Sequence, residues 1–104
     1  RAAVLNVAKK GYRGEVEVKE LLSDLGFDAE RSWGSDGRAF GLASDIDIKA
    51  TRGDLELHVQ VKRRKKIASY LAFKNANLVA VREDRGKWLF IMDEEMFKDV
   101  LRVE

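Results

Sequence analysis

The sequence predicts an α/β (α+β) fold, a single domain in which a central mixed sheet of five strands is flanked by helices. Three observations predict it. Apolar residues recur with a helical period near the start of the chain, and two central segments alternate apolar and polar residues with period two. Short apolar runs of strand length follow towards the end. The predicted order of elements is α-β-β-β-α-β-β-α.

The composition is typical of a soluble globular protein. The 104 residues suffice for one domain, residues 1–104, and 45% of them are hydrophobic and 37% charged. No cysteine is present, which excludes disulfides and thiolate metal sites and favours a reducing, cytoplasmic location. No apolar run has the length of a membrane span, and no signal peptide is visible. The chain begins with Arg1 rather than Met, as a processed or trimmed chain would.

The first helix is predicted over residues 2–25, with Gly26 as its C-cap. One stripe of this helix faces the core, and it carries Val4, Ala8, Gly11, Glu15, Val18, Leu22 and Leu25. Two glycines weaken its middle by about 1 kcal/mol each relative to alanine, so a helix that starts near Arg13 is an alternative.

Glu15 is an acid on the stripe that faces the core. An unpaired buried carboxylate is costly, so Glu15 needs a partner or access to water. Three explanations are open: a partner arginine, a shallow helix end where the carboxylate reaches water, or a bound metal.

The centre of the chain predicts a β-hairpin, with strands over residues 45–50 and 55–62 and a turn over 51–54. Successive side chains of a strand point to opposite faces. The apolar face then carries Ile46, Ile48, Ala50, Leu55, Leu57, Val59 and Val61. The polar face carries Asp45, Asp47, Lys49, Glu56, His58, Gln60 and Lys62. We interpret His58 as a bystander or DNA contact rather than a catalytic base.

Shorter elements are predicted on either side of the hairpin. They are a strand over 27–33, a flexible loop over 34–41, a helix over 67–74, strands over 78–81 and 87–92 with a turn at 83–86, and a closing helix with Asp93 as N-cap.

Five consecutive cations, residues 62–66, follow the second strand of the hairpin. The net charge is only +2, so positive charge is concentrated in this run. Such a run can bind phosphates with release of counterions, or it can simply be a solvated strand end.

The polar face of the hairpin suits a hard divalent cation, which prefers oxygen ligands. Asp47, the side-chain oxygen of Gln60 and the carbonyl of Val61 are suitable ligands, and Glu15 can reach the ion directly or through water. Lys62 projects from the same face. There it can orient an attacking water and stabilise negative charge on a phosphate.

These residues resemble the PD-(D/E)XK nuclease superfamily. Glu15 lies on the first helix, Asp47 on a strand, and Gln60-Val61-Lys62 on the next strand. In particular, the chain is similar to the archaeal-type Holliday junction resolvases, also found in phages.

Further residues carry that second resemblance. The chain has a Lys-Gly-x-x-x-Glu opening at residues 10–15, Gly26-Phe27 at the helix end, and Arg31 beside a serine-glycine loop. The resemblance covers most of the chain, from Lys10 to Lys66.

The resemblance implies a restriction-endonuclease-like fold and a homodimeric enzyme that cuts paired strands of branched DNA with Mg²⁺, for which Mn²⁺ can substitute. It implies that Ser32 or Ser35 acts near the scissile phosphate. The residues expected to grip phosphates are Lys10, Arg13, Arg31, Arg63, Arg64, Lys65 and Lys66.

Gln60 departs from the resolvase pattern, which usually has glutamate there. The Gln-x-Lys sequence is also similar to the Mrr-type restriction endonucleases, but it removes one negative charge from the metal site. Asp45, two residues before Asp47, either compensates as a metal ligand or is a solvent-facing acid paired with Lys49 or Lys62.

We therefore expect a metal-dependent, structure-selective endonuclease that resolves four-way (Holliday) junctions by phosphodiester hydrolysis, in the cytoplasm or, if phage-encoded, the host cytoplasm. The alternatives are a Mrr-like or restriction-type duplex endonuclease, a non-catalytic nucleic-acid-binding module of the same fold, and a plain structural domain. The expected partners are branched DNA and a second copy of the chain, with no membrane. Phe90, Met96 and Phe97 form either the dimer interface or part of the core.

Overall fold

The computed structural model describes residues 2–32, 37–72 and 74–102; for residues 2–10 it describes the backbone only. The chain divides into two compact units, Arg1–Arg63 and Arg64–Glu104, hereafter the N-terminal and C-terminal units. The α+β class is confirmed. The five described strands form two antiparallel sheets, one of three strands and one of two, so the predicted single five-stranded sheet is not what they form. In the described part of the chain, no helix has the length and apolar character needed to cross a membrane.

The N-terminal unit opens with one long helix, α1, over Ala2–Asp24. The helix runs through both glycines without interruption, so the alternative start near Arg13 does not occur. Gly14 is buried, and a Cβ added there would lie 3.4 Å from Cγ1 of Val61, an ordinary van der Waals contact.

The C-terminus of α1 is closed by a Schellman motif, as the predicted C-cap requires. Gly26 has a φ of +88°, and the N–H of Phe27 donates to the carbonyl of Leu22 at 3.0 Å. Arg52 from the sheet adds to this cap. Its Nη1 donates to the carbonyl of Leu25 at 2.8 Å, and its guanidinium lies 4.7 Å from the centre of the Phe27 ring.

Three antiparallel strands follow in the spatial order β1-β2-β3: β1 is Asp28–Arg31, β2 is Ile48–Arg52 and β3 is Leu55–Val59. Ile48 pairs with Val59, whereas Lys49 pairs with His58. Paired residues share a face, so the predicted faces are confirmed for residues 48–50 and 57–59, whereas Leu55 of the predicted apolar face is exposed and Asp47 of the predicted polar face is buried. The buried apolar side chains of this unit are Leu22, Phe27, Ala29, Ile48 and Ala50.

The turn of the hairpin is shorter than predicted. Only Gly53 and Asp54 connect the strands, and the φ of +59° at Gly53 is what a type II′ turn needs at its first central residue. Because two residues suffice to reverse the chain, Thr51 and Arg52 continue β2. At the far end the register stops at Val59, so residues 45–47 and 60–62 flank the strands rather than extend them.

The segment between β1 and β2 contains a 3₁₀ turn, Gly37–Phe40, where a flexible loop was predicted. Residues 33–36, which include Ser35, lie outside the described residues. Gly37 is buried, and a Cβ there would collide with the carbonyl oxygen of Ala43 and come within 2.7 Å of the Cβ of Ile46. This packing requires glycine at position 37.

The C-terminal unit contains strands β4, Val79–Val81, and β5, Leu89–Ile91, which pair antiparallel, followed by helix α2, Glu94–Leu101. The predicted N-cap is confirmed, because the side chain of Asp93 accepts from the N–H of Met96 at 3.0 Å. The predicted helix over 67–74 is only a 3₁₀ turn, Ser69–Leu71.

None of the described residues of the C-terminal unit is buried. Instead, the unit exposes large apolar side chains: Ile67, Tyr70, Leu78, Trp88, Leu89, Phe90 and Val100. The 3₁₀ turn ends because the backbone of Ala72 is extended, with φ −93° and ψ 108°, and an extended residue cannot continue a helix.

Candidate metal and nucleic-acid site

Asp47 is a nearly buried acid whose backbone and side chain are both hydrogen-bonded to the end of β3 and the residues after it. It directly precedes β2 and is only 9% exposed. Its N–H donates to the carbonyl of Val59 at 2.8 Å, and its Oδ2 accepts from the N–H of Val61 at 2.7 Å. Asp47 is therefore bonded to the segment that contains Gln60 and Lys62.

The end of β3 explains why this bond forms. Strand pairing stops at Val59, so the N–H of Val61 has no partner in the β-ladder and needs another acceptor. The carboxylate of Asp47 supplies one. The second oxygen, Oδ1, has no hydrogen-bond partner among the described residues. In the same part of the chain, every fully buried side-chain oxygen or nitrogen has a hydrogen-bond partner. Oδ1 of Asp47 is therefore not fully buried.

Ser32 lies directly beside Asp47. It is 1% exposed, its N–H donates to the carbonyl of Asp47 at 2.9 Å, and its Oγ donates to the same carbonyl at 3.2 Å. Of the two candidate serines, Ser32 is thus next to the strand acid and holds its backbone, and Ser35 lies outside the described residues.

Glu15 has the partner arginine that was one of the three explanations for its burial. Glu15 is 6% exposed, and its Oε1 accepts from the Nε of Arg31 at 3.0 Å. The guanidinium of Arg31 also lies 4.5 Å from the centre of the Tyr12 ring. Residues from α1 and β1 therefore share one compact cluster.

Val61 links this cluster to Asp47. A Cβ on Gly14 would lie 3.4 Å from Cγ1 of Val61 and 3.6 Å from Cβ of Arg63, so both side chains pack against α1 one residue before Glu15. The described contacts join Glu15 to Arg31 and Asp47 to Val61, but they do not join the two acids directly.

The other predicted ligands are more open: Gln60 and Asp45 are exposed, and Val61 is half-buried. Lys62, the predicted catalytic cation, is exposed as well. Among the described residues, no group of three or more Asp, Glu, His or Cys side chains could hold a metal. In this described part of the chain, a metal could therefore take no more than two such side chains, of which Asp47 is one, together with amide and carbonyl oxygens. These donors are hard oxygen ligands, which is the ligand type that Mg²⁺ and Mn²⁺ prefer.

Five of the seven predicted phosphate-binding residues are exposed, and Arg31 is half-buried. Lys62 and Arg63 belong to the N-terminal unit, and the rest of the basic run belongs to the C-terminal unit. The exposed members of the predicted set are Arg13, Arg63, Arg64, Lys65 and Lys66. The side chain of Lys10 lies outside the described residues.

The polar face of the hairpin contains a charged group next to the site. Glu56 Oε2 and His58 Nε2 are 2.5 Å apart, and Lys49 Nζ is 3.8 Å from the other oxygen of Glu56. The hydrogen bond with His58 is the largest cause that holds the pKa of Glu56 below its ordinary value of 4.5, and the charge of Lys49 lowers it further. His58 is therefore engaged with a carboxylate on its own strand.

Sequence reasoning missed two members of the site. Tyr12 lies three residues before Glu15, and this spacing could have indicated a shared helix face. The contact of Gly14 with Val61 had no comparable signal, because the sequence does not show which helix residue meets the hairpin.

Comparisons with protein-family models, curated proteins and solved structures found no match to this chain.

Proposed function

We propose that this chain is a metal-dependent, structure-selective DNA endonuclease that resolves four-way junctions by phosphodiester hydrolysis. One observation carries the proposal: Oδ2 of Asp47 accepts from the N–H of Val61. This bond ties the strand acid to the Gln60-Val61-Lys62 segment, the pair of elements that a nuclease of the PD-(D/E)XK type uses together. The order α-β-β-β in the N-terminal unit supports the same superfamily.

Asp47, Gln60 and the carbonyl of Val61 would hold Mg²⁺, or Mn²⁺ in its place. When bound, the cation supplies Lewis acidity for the attacking water and neutralises charge on the scissile phosphate. Asp45 is exposed two residues before Asp47, where it can restore the negative charge that Gln60 lacks.

Lys62 and Ser32 have further roles in the proposed reaction. Lys62 is an exposed cation two residues beyond Gln60, and it can orient the attacking water and stabilise charge that develops on the phosphate. Ser32 holds the backbone of Asp47 through its Oγ and its N–H. Both contacts fix the acid before substrate arrives, which lowers the cost of ordering the site.

Recognition of a four-way junction needs more surface than one small chain offers, so the active form would be a homodimer with two sites on opposed strands. The exposed apolar residues of the C-terminal unit support this. Phe90 is 62% exposed, and Leu89 and Trp88 are exposed beside it. The basic run would hold phosphates on either side of the cut.

Cleavage of an immobile four-way DNA junction, compared with a linear duplex of the same sequence in Mg²⁺ or in EDTA, tests the proposal. We expect paired nicks in the junction, only with Mg²⁺. Asp47→Asn keeps an oxygen for the N–H of Val61 but removes the charge. It should lower cleavage more than about 100-fold, since loss of even outer partners of a metal site costs about 10- to 100-fold. Asp54→Asn in the hairpin turn is the matched control.

Other outcomes identify the alternatives. Equal cleavage of the duplex would favour a restriction-type endonuclease. Junction binding without cleavage in Mg²⁺ or Mn²⁺ would indicate a non-catalytic module, an alternative that neutral Gln60 favours. Failure to bind DNA at physiological salt would favour the alternative that the chain is a structural domain.

A further inference from the structure

The pair formed by Glu15 and Arg31 is asymmetric in burial. The side chain of Glu15 is 8% exposed, and that of Arg31 is 26% exposed. The carboxylate side chain is thus the more buried member of the pair, and the arginine side chain the more accessible one. The 3.0 Å hydrogen bond between Nε of Arg31 and the carboxylate of Glu15 holds the guanidinium in position.

Arg31 is held on two sides. Its Nε donates to Glu15, and its planar group lies 4.5 Å from the centre of the Tyr12 ring. No described residue accepts a hydrogen bond from Nη1 or Nη2 of Arg31. These two nitrogens carry four of the five guanidinium N–H groups, in the fork geometry that matches two oxygens of a phosphate.

Two further cations lie close to Glu15. Arg13 is exposed two residues before it on α1, and the side chain of Arg63 packs against Gly14, the residue directly before it. A phosphodiester of a nucleic-acid backbone therefore matches the charge and the hydrogen-bond pattern of the site.

We propose that Glu15 is a positioning residue, which holds Arg31 against Tyr12 so that Arg31 binds one phosphate of the DNA backbone, and that Asp47 binds the divalent cation without Glu15. This rests on the proposed function, because it assumes that the chain binds DNA and a cation. It assigns Glu15 a role different from the metal ligand that the sequence predicts.

The experiment has a DNA arm and a metal arm. In EDTA, the affinity for an immobile four-way junction is measured over a series of salt concentrations. Loss of one phosphate contact lowers the slope of log K against log salt by about 0.9. Arg31→Ala should produce this loss, Glu15→Gln should produce the same loss, and the double variant should lose no more. Glu17→Gln, an exposed acid on the same helix, is the control.

The metal arm measures Mn²⁺ binding to the DNA-free protein by calorimetry. Glu15→Gln should bind Mn²⁺ within about twofold of the unmodified chain, whereas Asp47→Asn should bind it at least about 10-fold more weakly. Thermal melting of each variant separates these effects from unfolding.

Two results would overturn the inference and leave the proposed function intact. One is a loss of Mn²⁺ affinity in Glu15→Gln as large as that in Asp47→Asn. The other is additive loss of DNA affinity in the double variant, which would mean that Glu15 does not act through Arg31. If the unmodified chain binds neither the junction nor Mn²⁺, the proposed function fails, and this inference fails with it.

Discussion

At the scale of single residues, two buried acids satisfy the same requirement in different ways. A buried carboxylate needs hydrogen bonds or an opposite charge. Glu15 takes the guanidinium of Arg31, and Asp47 takes the backbone N–H of Val61. The first arrangement pairs the acid with an opposite charge, whereas the second pairs it with an uncharged backbone donor. Asp47 is thus the better candidate for a cation ligand.

Glu56 gives a prediction at this scale. Its pKa is lowered mainly by the hydrogen bond with His58, so His58→Ala should raise the pKa of Glu56 back towards 4.5. A carboxylate whose pKa falls on folding adds stability that is present above its unfolded value and lost as the pH falls through the folded value. NMR titration of the Glu56 carboxyl checks this. An unchanged midpoint would contradict it, and Lys49→Ala should produce a smaller shift.

The sequence predicts the need for a partner at Glu15 but not its identity. Helical periodicity places this acid on the core-facing stripe, and burial cost then demands compensation. Arg31 lies 16 positions away, on a strand whose register against α1 is a tertiary property. The contact between Val61 and Gly14 escaped prediction for the same reason.

At the scale of elements, the hairpin was predictable because its two faces differ so strongly. A shift of register by one residue would bury Lys49 and expose Ile48, so the alternation determines which side faces the core. The strand ends were less predictable. The alternation extends from 45 to 62, but the ladder stops where Asp47 and Val61 bond to each other through a side chain.

The loop before β2 gives a prediction at this scale. Gly37→Ala should destabilise the fold by about 1–3 kcal/mol, because the added methyl meets the carbonyl of Ala43 and the side chain of Ile46. The melting temperature should fall by at least about 4 °C. Gly11→Ala is the control. It lies in α1 with nothing within 4 Å of a new Cβ, so it should stabilise by about 0.5–1 kcal/mol.

Thermal unfolding followed by circular dichroism measures both glycine variants. Equal melting temperatures for the two would mean that the loop does not pack tightly against position 37. Since this loop leads into Asp47, the Gly37 variant should also lose cleavage activity in proportion to the folded fraction.

At the scale of the whole molecule, the two units differ in how they use apolar residues. The N-terminal unit has a buried core built from α1 and the three-stranded sheet. The described part of the C-terminal unit has exposed apolar side chains and no buried ones. The order of the strands and of the first and last helices was predictable, but the turn between β3 and β4 and the grouping of strands into sheets were not. Strands of three residues, such as β4 and β5, have too few positions for a pattern that specifies a partner.

The central claim is that a divalent cation binds at Asp47. The most direct test is an amide NMR spectrum recorded during titration with Mn²⁺, whose paramagnetism broadens the signals nearest to it. We predict that the amides of residues 45–47 and 60–62 broaden first. First broadening at Asp28 and Glu30, which line a polar cavity of about 100 Å³ on the outer face of the sheet, with no effect at Asp47, would contradict the claim.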